Sequence, residues 1–194
     1  DHGPDGNGVS RDRRIRAPSH LQWVSGVQAI PLGGNPAGYD PGAGVRVAGG
    51  VVGVDYKLAD GADKRRRQGM LAGFDAWSGV PLWKAPRDVA VAGRRWQFVA
   101  DGGRLFTFLK SDGPLVAVDA RTGRTLLAYD AAAGKPLRDE GTQVRVAGDL
   151  LVVNLDTGLF ALDAWSGALR WRRPAEGAAL LFPVVDPAAG RVYA

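Results

Sequence analysis

Short apolar runs separated by turn-forming residues follow one another along most of the chain. In residues 141–171 the runs fall near Gln143–Ala147, Leu150–Leu155, Gly158–Asp163 and Ala168–Arg172. The residues between them are rich in Gly, Asp and Ser, which favour tight turns. Runs of this length with turns between them are typical of short β-strands rather than helices. Four such strands in succession predict an antiparallel meander.

The same pattern returns twice more at a fixed spacing. GFDAWSGVPLW at 73–83, AVDARTGRTLL at 117–127 and ALDAWSGALRW at 161–171 are related, and their aspartates are each 44 residues apart. One four-stranded sheet alone would expose an apolar face and two edges, whereas copies stacked around an axis bury these faces. A period of 44 with four strands predicts an all-β fold, a β-propeller of four-stranded antiparallel blades.

The repeat also predicts how the chain is divided. Residues 1–44 read as a leader and linker with little regular structure, and residues 45–194 as a partial propeller. Its blades are expected at about 45–86, 94–131 and 141–174, with a partial blade at 178–194 that contains FPVVDPAAGRVYA. Propellers usually have about four to eight blades, so the chain is expected to be a piece of a longer protein. Alternatively, HLQWVSGVQAI in the leader completes the last sheet.

The first copy carries an insertion. From Ala48 to Asp75 it is 11 residues longer than the third copy from Ala147 to Asp163, and the excess lies around YKLADGADKRRRQG. This places the basic cluster KRRR, residues 64–67, in a blade loop. A second basic cluster, RDRRIR at 11–16, lies in the leader. The net charge is only +5 and no aromatic stacking series accompanies the clusters, so nucleic acid is a disfavoured partner.

The motif residues are expected to be structural. An Asp at the start of the turn can accept hydrogen bonds from the following backbone N–H groups, and the Gly tolerates the positive φ of such a turn. An aromatic ring on the next strand can fill the space between adjacent blades. The docking residues are Gly73, Asp75, Gly79 and Trp83 in the first copy, Ala117, Asp119, Gly123 and Leu127 in the second, and Ala161, Asp163, Gly167 and Trp171 in the third. Leu127 stands where the other copies have Trp, which predicts a less filled contact there.

The spacing Ala-x-Asp-x-x-x-Gly-x-x-x-Trp, complete only in the third copy, resembles the tryptophan-docking motif of pyrroloquinoline-quinone-like (PQQ-like) propeller repeats, a WD-like repeat class. The first copy has Gly73 in place of Ala, and the second lacks the Trp. The resemblance covers about residues 45–194. It implies a quinoprotein-type β-propeller, and the leader is similar to those of secreted bacterial propeller proteins.

The resemblance implies a fold more firmly than an activity. Families with these repeats include quinone-dependent dehydrogenases and non-enzymatic scaffolds of the bacterial envelope. The enzymes hold the quinone on the propeller axis beside a calcium ion bound by Glu, Asn and Asp. The residues of those types in this chain do not form a recognisable set, because its asparagines are only Asn7, Asn35 and Asn154, and its glutamates only Glu140 and Glu176.

Composition narrows the remaining chemistry. The chain has no cysteine, and its two histidines, His2 and His20, are both in the leader. A thiolate site or a His-based triad within the repeats is therefore excluded. No catalytic residue and no metal site are predicted. There is also no apolar run near the roughly 20 residues that a membrane-spanning helix needs.

Two tryptophans inside the turns are candidates for a partner surface. Trp77 and Trp165 follow the Ala of the DAWSG turns, and the second copy has Arg121 at this position. They either form a partner-binding edge or pack over the neighbouring hairpin. We therefore expect a non-catalytic binding or scaffolding module with a protein or cell-envelope partner and no cofactor, secreted or periplasmic in a bacterium. The alternative is part of a PQQ-dependent oxidoreductase with quinone and calcium, or a propeller fused to a catalytic domain beyond the C-terminus.

Overall fold

The computed structural model describes residues 44–60, 63–88, 90, 92, 97–129, 143–155, 158–175, 183–186 and 191–193. Their strands form three four-stranded sheets and one two-stranded sheet. Sheet 1 contains β1 (Gly44–Ala48), β2 (Val51–Asp60), β3 (Asp63–Asp75) and β4 (Pro81–Arg87). Sheet 2 contains β5 (Val99–Asp101), β6 (Arg104–Phe108), β7 (Leu115–Asp119) and β8 (Thr125–Tyr129). Sheet 3 contains β9 (Gln143–Ala147), β10 (Leu150–Leu155), β11 (Gly158–Asp163) and β12 (Leu169–Pro174), and sheet 4 contains β13 (Val184–Asp186) and β14 (Arg191–Tyr193).

Each sheet is an antiparallel meander in which neighbours in sequence are neighbours in space. In sheet 3 the first three strands have the bounds that the apolar runs indicated, and the fourth begins at Leu169 and continues to Pro174. The last residues of the chain pair as two strands, β13 with β14. The expected class, an incomplete β-propeller of four-stranded antiparallel blades, is therefore confirmed.

The sheets are arranged in series, each against the next. The first strands are neighbours, because β1 lies beside β5, β5 beside β9 and β9 beside β13. Between sheets 1 and 2 the core contains Val51, Leu71, Phe98, Leu105 and Val118. Between sheets 2 and 3 it contains Phe106, Phe108, Leu115, Tyr129, Val144, Val146, Leu151 and Leu162. These alternating apolar positions on both sheet faces supply the burial that a single meander lacks.

The insertion in the first copy is a pair of strands and not a loop. β2 and β3 continue as one long hairpin, with Leu58 opposite Gln68 and Ala59 opposite Arg67. The expectation that KRRR lies in a loop is therefore wrong, since residues 64–67 belong to β3. The ladder continues in register as far as Ala59 and Arg67, and it then shifts, because Asp60 pairs with Asp63. The insertion therefore lengthens the hairpin and places a bulge at residues 64–66.

A buried ion pair connects sheets 1 and 2. Arg87 Nη1 lies 2.6 Å from Asp55 Oδ2, and both side chains are completely buried. Arg87 Nε also donates a hydrogen bond to the Phe108 carbonyl of sheet 2 at 2.6 Å. The guanidinium therefore joins two strands of its own sheet to the next sheet, inside a region where an unpaired charge would be costly.

Several sequence interpretations fall outside the described residues. These include the leader, HLQWVSGVQAI, the 11–16 cluster, His2, His20, Asn7, Asn35, Glu140 and Glu176. In the described part of the chain, no helix has the length and apolar character required to cross a membrane.

Candidate functional site

The three motif aspartates close three nearly identical turns. Asp163 Oδ1 accepts hydrogen bonds from the N–H of Trp165 at 3.0 Å, the N–H of Ser166 at 2.8 Å and the Ser166 hydroxyl at 3.0 Å. Gly167 donates its N–H to the Asp163 carbonyl at 2.8 Å and has a φ of 77°. Equivalent bonds surround Asp75 and Asp119. Each carboxylate therefore acts inside its own turn.

These hydrogen bonds stabilise the ionised form of each acid. The backbone N–H and hydroxyl of Ser78 lower the pKa of Asp75, and the hydroxyl and backbone N–H of Thr122 lower the pKa of Asp119. The pKa of Asp163 is held well below its usual range, mainly by the Arg170 guanidinium and then by Ser166. A lowered pKa is the opposite of what a general acid needs near neutral pH. The arrangement is that of turn caps rather than proton donors.

Trp83 is the residue that joins the first two sheets at their outer strands. Its indole N–H donates to the Ala120 carbonyl of sheet 2 at 2.8 Å. On one side the ring lies against Gly73, opposite it in the ladder. On the other side it lies so close to Gly123 that a Cβ there would come within 2.5 Å of Trp83 Cδ2. The two glycines leave room for the ring between a strand and a turn.

The contact between sheets 2 and 3 is filled by a different aromatic residue. Leu127 lies opposite Ala117, where a tryptophan would stand. Tyr129, two residues later, is completely buried and donates its hydroxyl to the Ala164 carbonyl of sheet 3. Gly167 lies against both Leu127 and Tyr129. Leu127 and Tyr129 together take the place of the ring and its donor. A Cβ at Gly167 would lie 3.4 Å from Leu127, against 2.5 Å between a Cβ at Gly123 and Trp83, so the expectation of a less filled contact stays a prediction.

Sequence reasoning missed Tyr129, although a signal was available. Ala120 and Ala164 occupy the same place in their turns, and both carbonyls accept a hydrogen bond from the preceding sheet. A buried acceptor of this kind needs a donor. In the copy without the tryptophan, the nearest aromatic residue with a polar hydrogen is Tyr129, which donates this hydrogen bond.

The third docking tryptophan has different surroundings. Trp171 lies opposite Ala161 in β12, and 38% of its surface is exposed. All residues of β12 are exposed. Beside it, Arg170 forms ion pairs with Asp149 at 2.6 Å and with Asp163 at 2.5 Å. The structure therefore places the three motif copies alike within each sheet, but their contacts with a following sheet differ.

The turns of neighbouring sheets meet along one rim of the molecule, which we call the hairpin rim. It comprises the turns around Ala76–Gly79, Ala120–Gly123 and Ala164–Gly167 with the β1–β2, β5–β6 and β9–β10 turns. Within each sheet the two turns are joined, for example by the Ala164 N–H donating to the Asp149 carbonyl. Between sheets, the Gly148 N–H donates to Asp101 Oδ2 at 2.9 Å.

The two candidate tryptophans of this rim are not equivalent. Arg104 lies over the Trp165 ring, with its Cζ 4.1 Å from the ring centroid, and Gly102 lies against the ring edge. Trp165 is 48% exposed, whereas Trp77 is 72% exposed. Trp165 therefore packs over the neighbouring hairpin, whereas most of the Trp77 ring is exposed, and a role of Trp77 in partner binding stays a prediction.

The described residues do not gather the donors that a calcium and quinone site needs. Among them there is no group of three or more His, Cys, Asp or Glu side chains placed to hold a metal ion. Asn154, the asparagine in the described part, is a buried β10 residue opposite Gln143 and Leu159. Within the described part of the chain, the donor set does not fit a calcium and quinone site.

The family of the chain is decided by its repeats. Residues 67–194 match the family model described as outer membrane protein assembly factor BamB. The chain belongs to this family. Its PQQ-like repeat character, indicated by the docking motif, is thereby confirmed. The comparison with curated proteins found no match.

Solved structures with similar backbones include BamB from Moraxella catarrhalis, at 19% identity and a TM-score of 0.46, covering 83% of this chain and 48% of that one. Quinohemoprotein alcohol dehydrogenase from Comamonas testosteroni is 18% identical with a TM-score of 0.45, covering 68% of this chain and 20% of that one. A europium-containing methanol dehydrogenase is 16% identical, with a TM-score of 0.41 and 69% and 26% coverage. The chain thus spans about half of the length of that BamB and a fifth of the alcohol dehydrogenase.

Proposed function

We propose that this chain is part of a non-catalytic binding or scaffolding module that acts in the bacterial envelope and engages a protein partner through its hairpin rim. The proposal is supported mainly by the observation that the three repeated aspartates act within their own turns. Each is held by the N–H groups and hydroxyl of its own turn. The repeated residues therefore build the fold, and the surface that they support is exposed.

The rim has the residue types that favour protein recognition. Trp77 and Trp165 present aromatic surface, and Arg121 takes the same position in the middle turn. Tryptophan and arginine are enriched among residues that dominate binding energy at protein interfaces. Membership of a family described as an outer membrane protein assembly factor supports a protein partner and an envelope location.

The binding proposal is tested by comparing partner capture with a rim variant. The tagged full chain is cross-linked in a bacterium that carries its gene, and captured proteins are quantified by mass spectrometry. We expect a specific partner whose recovery falls at least tenfold when Trp77, Arg121 and Trp165 are all changed to Ser. The control changes Leu126 to Ser, because Leu126 is exposed on β8 away from the turns. Equal recovery with both variants contradicts the rim as the binding surface.

The alternative function, part of a PQQ-dependent oxidoreductase, has a separate test. The purified full chain is titrated with calcium and the quinone while reduction of an artificial dye is followed with an alcohol as substrate. If the chain is a scaffold, we expect neither saturable quinone binding nor dye reduction above the rate without protein. Saturable binding with calcium-dependent reduction would favour the oxidoreductase.

A further inference from the structure

Many hydrogen-bond acceptors of the hairpin rim are already engaged within the molecule. Five carboxylates at the rim each accept at least one hydrogen bond from the protein: those of Asp75, Asp101, Asp119, Asp149 and Asp163. The carbonyls of Gly50, Gly103 and Asp149 accept the N–H of the residue that follows each capping aspartate. The Ala120 and Ala164 carbonyls accept side-chain donors from the preceding sheet. A partner therefore meets acceptors that already have donors.

The donors of the same rim are less fully used. Two of its arginines are engaged, since Arg170 forms ion pairs with two aspartates and Arg104 donates to a backbone carbonyl. Arg121 and Arg124, in the middle turn, are exposed, and their guanidinium groups form no hydrogen bond or ion pair with the described residues. A guanidinium has five N–H donors in a planar fork. The middle turn therefore offers donors and positive charge to solvent.

The middle turn is held firmly and lies on an open surface. Gly123, between the two arginines in sequence, lies against the Trp83 ring, and the Ala120 carbonyl accepts the Trp83 N–H at 2.8 Å. A Cβ at Gly50 or at Gly103, in the adjoining turns, would meet no atom within 4 Å. Residues 119–124 have two arginines and one aspartate, whereas residues 75–80 have an aspartate and no cation. The positive charge of the rim is thus concentrated at its middle turn.

We propose that the protein partner of the hairpin rim presents an acidic segment, whose carboxylates bind Arg121 and Arg124 while its apolar side chains pack on the exposed rings of Trp77 and Trp165. This inference rests on the proposed function, because it names the chemistry of the partner at the same rim. A carboxylate matches the guanidinium fork, and such charge-assisted hydrogen bonds are stronger than neutral ones. The arginines and the rings are distributed over three consecutive sheets, which suits an extended segment with several acceptors better than a single small anion.

The test titrates the purified full chain with three terminally blocked peptides of equal length and measures their affinities by biolayer interferometry. The peptides are acidic (DLELDLEG), neutral (NLQLNLQG) and basic (KLKLKLKG), with leucines in the same places. We expect the acidic peptide to bind about tenfold more tightly than the neutral one, because charge-assisted hydrogen bonds replace neutral ones. Its affinity should fall as salt is added, since exposed charges are screened. Equal binding of the acidic and neutral peptides would overturn the proposal.

Two matched variants locate the binding site. Arg121→Gln with Arg124→Gln should reduce the affinity for the acidic peptide about three- to tenfold, as expected for the loss of two exposed ion pairs. The control is Arg172→Gln with Arg173→Gln, because these two arginines are exposed on β12 and the change in net charge is the same. The control should bind the acidic peptide as the unmodified chain does. Equal losses in the two variants would mean that the peptide responds only to net charge, which contradicts the proposal.

Two further measurements separate this inference from a lipid surface and from the proposed function itself. If vesicles of phosphatidylglycerol bind in place of the acidic peptide, and lose binding with the Arg121 and Arg124 changes, the arginines recognise lipid and the proposal is wrong. In the capture experiment, the partner peptide cross-linked to the rim should be rich in Asp and Glu. A rim-dependent partner whose cross-linked peptide lacks acidic residues overturns this inference and leaves the binding function standing. Capture that does not depend on the rim contradicts the binding function at the rim and this inference with it.

Discussion

Glycine in the repeated turn has two separate roles at the residue scale. Gly123 has a φ of 74°, and its Cα also faces the Trp83 ring. Gly50 has a similar φ of 76°, but a Cβ there would meet no atom within 4 Å. A comparison of substitutions at the two positions therefore distinguishes the cost of backbone strain from the cost of crowding the Trp83 ring. An L-residue at such a φ is strained in both places.

We predict that Gly123→Ala destabilises the fold more than Gly50→Ala. Strain alone should cost about 1–2 kcal/mol at Gly50, while displacement of Trp83 should raise the cost at Gly123 to about 2–4 kcal/mol. Urea unfolding followed by circular dichroism measures both. Equal losses would show that the ring contact at Gly123 contributes nothing.

Tyr129 gives a prediction with a pH dependence. Burial raises the pKa of Tyr129 to about 12, from an ordinary value of 10.0. The folded protein therefore keeps the phenolic proton at pH values where the unfolded chain releases it. The stability contributed by the neutral phenol is complete below about pH 10 and is lost as pH rises from there to about 12.

We expect Tyr129→Phe to cost about 1 kcal/mol at pH 8, because Arg104 still donates to the Ala164 carbonyl. Unfolding free energies of both proteins at pH 8, 9.5 and 11 isolate the titration, since the other groups are common to both. The advantage of the unmodified chain should shrink at pH 11. An advantage that is constant with pH would contradict the assignment of a raised pKa to this tyrosine.

The contrast between Trp83 and Tyr129 shows what the sequence carries at this scale. The Trp83 position was predictable, because its spacing from Asp75 repeats in the third copy. Tyr129 was not, because the periodic alignment points to Leu127, and the donor comes from two residues further along β8. Periodicity identifies equivalent positions, whereas a compensating change in a neighbouring position depends on three-dimensional contacts.

At the scale of elements, the Asp55–Arg87 pair tests how sheets 1 and 2 are joined. We predict that Arg87→Met alone costs about 3–5 kcal/mol, because it removes the guanidinium from beside the buried Asp55 charge. The double change Asp55→Leu with Arg87→Met should recover part of this loss, since no buried charge remains. A double-mutant cycle in urea provides the measurement. A double variant less stable than Arg87→Met would show that the carboxylate is held mainly by other groups.

The long β2–β3 hairpin provides a second prediction. Replacing Lys57–Gly69 by Asn-Gly removes 11 residues and gives the strand lengths of the third copy. We expect a folded protein within about 1–2 kcal/mol of the original, since the third copy forms the same four-stranded sheet without the insertion. Loop length itself has a small effect on stability. Circular dichroism and urea unfolding measure the outcome, and loss of the β-sheet spectrum would make the extension essential to sheet 1.

The elements themselves were largely predictable, apart from this hairpin. Turn residues separate the strands of sheet 3, and the bounds of its first three strands followed directly from the sequence. In the insertion, Asp, Lys and Arg residues favoured a loop, but the strands already begun at Val51 and completed at Asp75 extend through them. An established ladder can continue through residues of low β-propensity, because β-propensity depends strongly on structural context.

At the scale of the whole molecule, the main contacts between sheets in the described part of the chain join neighbours along the series. In such an array, the stability contributed by a repeated residue depends on the adjoining sheet as well as on its own. Trp83 has Gly123 and the Ala120 carbonyl of sheet 2 around its ring. Trp171 occupies the same register position, but it lies on a strand whose residues are all exposed.

We therefore predict that the same substitution has unequal effects at equivalent positions. Trp83→Ala should cost about 3–5 kcal/mol, as expected for loss of an aromatic ring packed between two sheets. Trp171→Ala should cost about 1–2 kcal/mol, because the ring loses contacts mainly with its own sheet. Urea unfolding of the two variants at one pH provides the comparison. Equal costs would mean that the docking ring acts within its own sheet, and that the contact with the next sheet, on which the propeller arrangement depends, contributes little.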